Sequence, residues 1–538
     1  MAFVYNQERI LTCIFRWDES MGIYSSNLAG LSVFDYFDDA CTVDDAIYFM
    51  WTGYAQFLEI VFNVGTAFAA ASHTIVWEYY GYDAGDGGWG WHALPNVVDN
   101  TNGFTVLGIN SVTWDKPPRF YDATTVNGIF AFWIRCRLSA VNTPTEGGAN
   151  QTNTVKVKDD AIEFTGYTEG APCTLEDIYN ADVAGGWGRV TKQGNQYRID
   201  CRLWVGDGSI ITWLSSKNEQ VEFTRNLFKT FCLQNNANFK MGDLDVNGIP
   251  YKGSNFLMTN YQSSSTFFTE SSSKFKFYDS EIRCRGDKGQ NDPVNLRGVY
   301  PDFVIKRSKV DFEKTQRFII YGDAIVDGLE LYNNTFITNQ SPTEEWVGIK
   351  FIGPTLNAFH PHFGTPVILR NATIGDDIVR VLQNYHAQCQ LINPILDWTK
   401  LTLQAVHADG WWKVIFGLDV HVSDYENGND IPGATVILYD KDGTEIFSTT
   451  TDANGNIVTQ EIVYRYIYGP ASSMVTYSPH KLIVKKAGYQ VEQDIFDMNE
   501  KKVLQVSLQK AIAVFFDMGR PVVNLKKSDP KNKKVMVL

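Results

Sequence analysis

An all-β fold is predicted for this chain: an N-terminal β-sandwich, a right-handed parallel β-helix and a C-terminal immunoglobulin-like sandwich. Three observations lead there. Aromatic residues are abundant at 14% and charged residues sparse at 20%, a mix that suits pleated, half-buried surfaces. Short apolar runs alternate with clusters of Gly, Asn, Asp and Pro instead of recurring at helical spacing. A small polar residue flanked by apolar positions returns along the middle of the chain, the mark of stacked units. At 538 residues the chain exceeds what one core can serve. The pattern divides it into residues 1–155, 156–410, 411–510 and a basic tail at 511–538.

In residues 1–155 the runs "IVWEYY", "FTVLGI", "SVTW" and "IFAFWIRCRL" read as antiparallel strands. "VNG" at 126–128 reads as a turn launching a buried strand, with Phe130, Phe132 and Ile134 on one face and Ile129, Ala131, Trp133, Arg135 and Arg137 on the other. "DYFDDACTVDDAIYFMW" departs from this texture: its apolar spacing and early aspartates predict a helix. "NTPTEGGANQTNT" is polar, aperiodic and rich in Gly, Pro and Thr, as a linker is.

From 156 to 410 no helical pattern is evident. The recurring units centre on Ser280, Ser308, Asn334, Ala372 and Asn393, spaced 28, 26, 38 and 21 residues apart. Such spacing fits the coils of a parallel β-helix, whose turns vary while inward apolar stacks and Asn or Ser ladders persist. In 411–510, "ATVILYD", "KDG", "IFSTTT" and "DANGN" alternate strand and turn, and "PHKLIVKKAGY" and "VLQVSLQK" supply further strands of a compact sandwich.

The net charge of −14 argues against a general nucleic-acid binder. The basic exception is the tail, where Lys526, Lys527, Lys531, Lys533 and Lys534 cluster as a solvated terminus. The start lacks a basic segment followed by an apolar one, so no secretory signal is expected. "FLEIVFNVGTAFAAAS" is too short to span a bilayer and carries Glu59, so no membrane insertion is expected. Eight scattered cysteines without a CxxC pair predict buried free thiols.

The series "PGATVILYDKDG", "TTTDANGNI" and "PHKLIVKKAGY" resembles the carboxypeptidase-regulatory-like or transthyretin-like sandwich over about a hundred residues. That resemblance implies attachment or spacing rather than catalysis. From "WEYYGYDAGDGGWGWHALPNVVDNTNGFTVLGINSVTWDKPPRF" to "VNGIFAFWIRCRL", roughly residues 73–140, the order of motifs resembles a sandwich of bacteriophage tail and baseplate proteins. The chain departs from that pattern in the insertion "GYDAGDGG" and in Phe132, where tyrosine is commoner. "CTLEDIYNADVAGGWGRVTKQGNQYRIDCRLWVGDGSIITWL" resembles the lead-in to phage β-helices. Together these resemblances imply a structural virion protein, assembled in the host cytoplasm, with no cofactor. Its expected partners are other virion proteins, further copies of itself in a homo-oligomer such as a trimer, and a host-surface glycan. Two alternatives are a glycan-degrading tailspike and a cell-surface adhesin.

Candidate chemistry is sparse. A tailspike enzyme needs two acids about 5 to 10 Å apart, one of them a proton donor, and Asp302, Asp311, Asp323 and Asp327 are the candidates. Trp89 and Trp91 are candidate stacking platforms for sugars. His360 and His362 would share a strand face but lack an evident third metal ligand, and His480 reads as part of the sandwich edge. Asp440, Asp442 and Glu445 lack the spacing of a calcium loop and read as a hairpin turn. Asn333, Asn339 and Asn371 head glycosylation triplets that carry little weight without a signal peptide.

Overall fold

In a computed structural model the chain forms two compact units, Met1–Ala324 and Ile325–Leu538. The structure describes residues 2–51, 57–83, 88–115, 117, 123–150, 155–213, 220–224, 230–234, 236–241, 255–259, 267–270, 272–285, 294–298, 300–338, 345–352, 359–361, 366–374, 380–384, 386–398, 401–469 and 472–511. These are nearly all β, and the only α-helix among them is Leu175–Gly185.

The first unit opens with an antiparallel sheet built on two long strands, Glu59–Asp83 and Ile134–Asn150, paired over most of their length with bulges. Ala46–Met50 lies between Ile134–Asn150 and Cys13–Asp18. The main core gathers Ile14, Tyr36, Phe37, Phe49, Phe62, Trp77, Phe104, Ile134, Cys136 and Leu138. A second, smaller core on the opposite face gathers Phe15, Tyr48, Met50, Val126 and Trp133.

Three expectations for this region are corrected. "DYFDDACTVDDAIYFMW" is not a helix: Ala46–Met50 is a strand with all five residues buried, and Asp45 ties the preceding loop by accepting from the backbone N–H groups of Thr42 and Glu19. A run buried on both faces is continuously apolar, and over a short stretch that is indistinguishable from helical spacing. The first half of the expected linker is strand, since Asn142, Glu146 and Gly147 pair with Ser72, Ala69 and Phe68. Its glycines serve close approach, not flexibility: a Cβ on Gly147 would sit 2.0 Å from the Phe37 carbonyl oxygen. The strand after "VNG" breaks in two. Asn127 and Gly128, at φ 47° and 78°, close a hairpin between Ala123–Val126 and Ile129–Phe132, as a type I′ turn requires. Phe130 is 70% exposed there, whereas Phe132 and Ile134 reach the main core and Ile129, Ala131 and Trp133 the smaller one.

Beyond residue 160 pairing in the first unit becomes mainly parallel, apart from the antiparallel pairs of Ala2–Tyr5 with Ala161–Thr165 and of Val190–Gln193 with Gln196–Ile199. One ladder runs Ala161–Thr165, Arg202–Val205, Phe231–Leu233, Phe267–Thr269, Val294–Gly298 and Lys309–Gly322. A second runs Gln196–Ile199, Gln220–Phe223, Asn255–Thr259, Glu281–Arg285 and again Lys309–Gly322, and a third Ile210–Trp213, Asn238–Met241, Lys274–Tyr278 and Phe303–Lys306. Phe231, Phe239, Phe267, Phe275 and Phe303 are fully buried and touch ring to ring. The expected absence of helix fails at Leu175–Gly185, which Thr174 and Asp177 start with a reciprocal capping box.

In the second unit, parallel pairing joins Trp346–Val347, Pro366–Arg370, Gln388–Ile392 and Trp411–Asp424. Trp411–Asp424 then pairs antiparallel with Gln460–Tyr468 and parallel with Lys502–Leu508. A separate antiparallel sheet has the order Glu445–Thr450, Thr435–Tyr439, His480–Lys485 and Glu492–Phe496.

Candidate functional site

The face of the N-terminal sheet that bears the smaller core also carries a file of aromatic and charged side chains. Gly88–Ala93 pairs with the end of Glu59–Asp83, setting Tyr80 opposite Trp91 and Glu78 opposite Ala93. Glu78 also lies opposite Arg135, and Arg135 opposite Tyr48. Paired residues point the same way, so these side chains share one face. Rings follow one another across the strands: Trp17 to Tyr24 at 4.6 Å, Tyr24 to Tyr48 at 5.7 Å, Tyr48 to Trp91 at 5.5 Å, Trp91 to Tyr80 at 5.7 Å and Tyr80 to Trp89 at 6.4 Å.

Two arginines fasten this file. Arg135 Nε donates to Glu78 at 2.7 Å, and Arg137 donates to the same carboxylate from Nε at 3.1 Å and Nη2 at 3.0 Å. The Arg135 guanidinium lies 4.4 Å from the Trp91 ring centre and donates to the Tyr48 hydroxyl at 3.2 Å. Hydrogen bonding to Glu78, with the field of Glu78 and Asp44, holds the Arg137 guanidinium above its ordinary pKa. The two candidate tryptophans therefore differ. Trp91 is half-buried beneath Arg135, while Trp89 is 57% exposed. The supporting residues Tyr80, Glu78 and Arg135 were missed as site residues, although "WEYY" and "WIRCR" alternate so as to place them together.

The candidate acids belong to separate elements or turns of the chain. Asp302 precedes Phe303–Lys306 in the third ladder and pairs with Lys276 at 2.8 Å and Lys274 at 2.9 Å; their hydrogen bonds hold its carboxyl below the usual range. A proton donor needs the opposite shift. Asp311 lies in Lys309–Gly322, in register with Arg283 of the second ladder, and pairs with Lys309 at 3.2 Å. Asp323 is half-buried near the end of the first unit, and Asp327 is an exposed residue of Ile325–Asp327 in the second. On the outer side of the second ladder, Lys192, Gln196, Arg198, Gln220, Glu222 and Arg283 line a polar groove of about 740 Å³.

The remaining candidates resolve individually. His360 lies in Phe359–Pro361, of which only the backbone is described, and His362 lies outside the described residues. Asp440 accepts from the backbone N–H groups of Asp442 and Thr444, closing the turn; Asp442 pairs with Lys441, and Glu445 begins the next strand. His480 is corrected: it lies on a strand paired on both sides and is fully buried, not at an edge. Asn371 sits exposed at a turn, Asn333 is described only in backbone, and Asn339 and the lysine tail lie outside the described residues. Among the described residues, no group of three His, Cys, Asp or Glu side chains is placed to hold a metal. No helix there is long and apolar enough to cross a membrane.

No family model matches this chain, and neither does any curated protein. Among solved structures, the Bacillus anthracis TIE protein matches at 18% identity over 20% of this chain and 19% of that one, with a TM-score of 0.15. A likeness so partial carries no argument about fold or function.

Proposed function

We propose that this chain is a structural component of a phage or phage-like particle, a tail, baseplate or capsid-surface fibre or spike that serves assembly and host-surface attachment. In this reading the parallel ladders are the coils of a right-handed parallel β-helix acting as a shaft. Residues 1–155 dock it, and residues 411–510 form a transthyretin-like sandwich. Other virion proteins and further copies of the chain, as in a trimer, are its partners.

The ladders carry the proposal. Strand after strand pairs in parallel around a fully buried phenylalanine stack, so backbone hydrogen bonds run continuously along the stacking direction. Such an array is stiff, and each coil needs its neighbours to bury its apolar face. Asp302, held ionised between two lysines, suits a structural surface better than a glycosidic proton donor.

The test is a mass-spectrometric inventory of purified particles, with cryo-electron microscopy to locate the chain. A fixed copy number per particle is expected. Absence from particles would overturn the proposal, as would cleavage of host polysaccharides that is lost on replacing Asp302 and Asp311, which would favour the tailspike enzyme.

A further inference from the structure

We propose that the polar groove on the outer side of the second ladder binds an uncharged stretch of a host-surface polysaccharide. The inference rests on the attachment half of the function proposed above and names the place and the ligand class.

The groove follows from strand register. Thr191 and Gln193 stand opposite Arg198 and Gln196, which in turn stand opposite Glu222 and Gln220. Residues in register on adjacent strands point the same way, so these six side chains form two rows across three strands. Two strands further along, Arg283 is in register with Glu222 through Leu257. At about 4.8 Å per strand the step from Arg198 to Arg283 is about 14 Å, longer than one sugar ring. The space that these residues line, about 740 Å³, lies within the roughly 300 to 1,000 Å³ of ligand sites.

The side chains set the chemistry. Gln196 Nε2 donates to Gln220 Oε1 at 3.3 Å, holding two amides side by side, and an amide both donates and accepts. Each cation of the groove has a carboxylate: Arg198 has Glu222 at 3.9 Å, Arg283 has Glu281 at 2.8 Å and Lys192 has Glu176. Three positive and three negative charges cancel, so an anionic ligand, nucleic acid included, gains no net attraction. Val221 and Tyr197, the apolar and aromatic residues described in the lining, are buried, so the groove lacks the apolar centre of a protein interface. A run of neutral sugars fits these conditions, because neighbouring hydroxyls donate and accept at once and meet amides and paired charges without displacing an ion.

The test uses the full chain on a printed array of neutral and acidic bacterial surface polysaccharides. The variants are Gln196→Ala, the double variant Gln196→Ala with Gln220→Ala and, as a control, Ile109→Ala, which alters a residue 76% exposed in the N-terminal sheet. At least one neutral glycan should bind the parent chain. The double variant should weaken that binding about tenfold and Gln196→Ala by about threefold, while Ile109→Ala changes nothing and all melting temperatures agree. Raising the salt from about 50 to about 500 mM should alter the affinity less than about twofold. The proposal is overturned if no neutral glycan binds the parent, if the double variant binds as the parent does, or if salt abolishes binding, which would mark an anionic ligand. Groove-dependent binding by a chain absent from particles would leave the site standing and remove the particle reading.

Discussion

His480 shows how much a single side chain owes to its surroundings. Its imidazole is fully buried, with Nδ1 3.2 Å from the Ser478 hydroxyl and the ring stacked on Phe496. Nε2 has no hydrogen-bond partner. Burial pushes the pKa below its ordinary value, against the opposing fields of Asp440 and Asp497. The unfolded chain therefore binds this proton more readily than the folded one. The stability that neutral His480 contributes is complete above the unfolded pKa of about 6.5 and is lost as pH falls through the lower folded value. Melting scans should show a steeper fall in Tm between about pH 7 and pH 5 for the parent than for His480→Gln. Equal slopes would contradict this assignment. From the sequence, "YSPHKL" could be placed on the sandwich but not in its interior, because which strands flank it is a long-range property.

Among the elements, the corners of the parallel ladders explain which repeats were legible. In the first unit Asp279 and Arg307, at φ 44° and 46°, precede the buried Ser280 and Ser308, and Ser308 Oγ donates back to the carbonyls of Phe277 and Lys306. In the second unit Gly328, Gly348, Asn371 and Asn393 take the same left-handed turn, and their N–H groups donate to the carbonyls of Val347, Arg370, Ile392 and Ile415. The sequence pattern found Ser280, Ser308, Ala372 and Asn393 because small or amide side chains fit these corners. It misplaced Asn334, which lies within Glu330–Thr338, and passed over the corners at Gly328 and Gly348, where large apolar residues follow the turn. The helix Leu175–Gly185 was missed although "TLED" spells its capping box, since only two of its apolar residues are buried and its periodicity is faint. Between the corners the phenylalanine stack packs successive parallel strands together. Phe275 touches Phe239, Phe267, Phe277 and Phe303. Phe275→Ala should cost about 3 to 5 kcal/mol, read as a lowered guanidinium midpoint. A shift equivalent to less than about 1 kcal/mol would mean that the stack does not hold these strands.

Across the whole molecule, cysteine usage gives the widest check. The seven cysteines whose side chains are described are free and buried, and burial raises the thiols of Cys13, Cys41, Cys136, Cys173, Cys201 and Cys389. A thiol reagent should therefore modify no more than one site rapidly in the native chain and all eight in denaturant. Two or more fast native thiols would show that these interiors open. The same view separates two kinds of information. Composition, alternation and turn residues determined by themselves that the described chain is β-structured, that its described thiols are buried and that "KDG" closes a hairpin, because each is a local preference or a bulk property. Only the tertiary structure decided that Ala46–Met50 is a strand, that "TPTEGGAN" continues one, that Asp302 lies between two lysines and that Trp89 is more exposed than Trp91, which lies under Arg135. Each of those depends on which distant strand lies alongside, and pairing between strands far apart in sequence, unlike a hairpin, is not announced by a local turn signal.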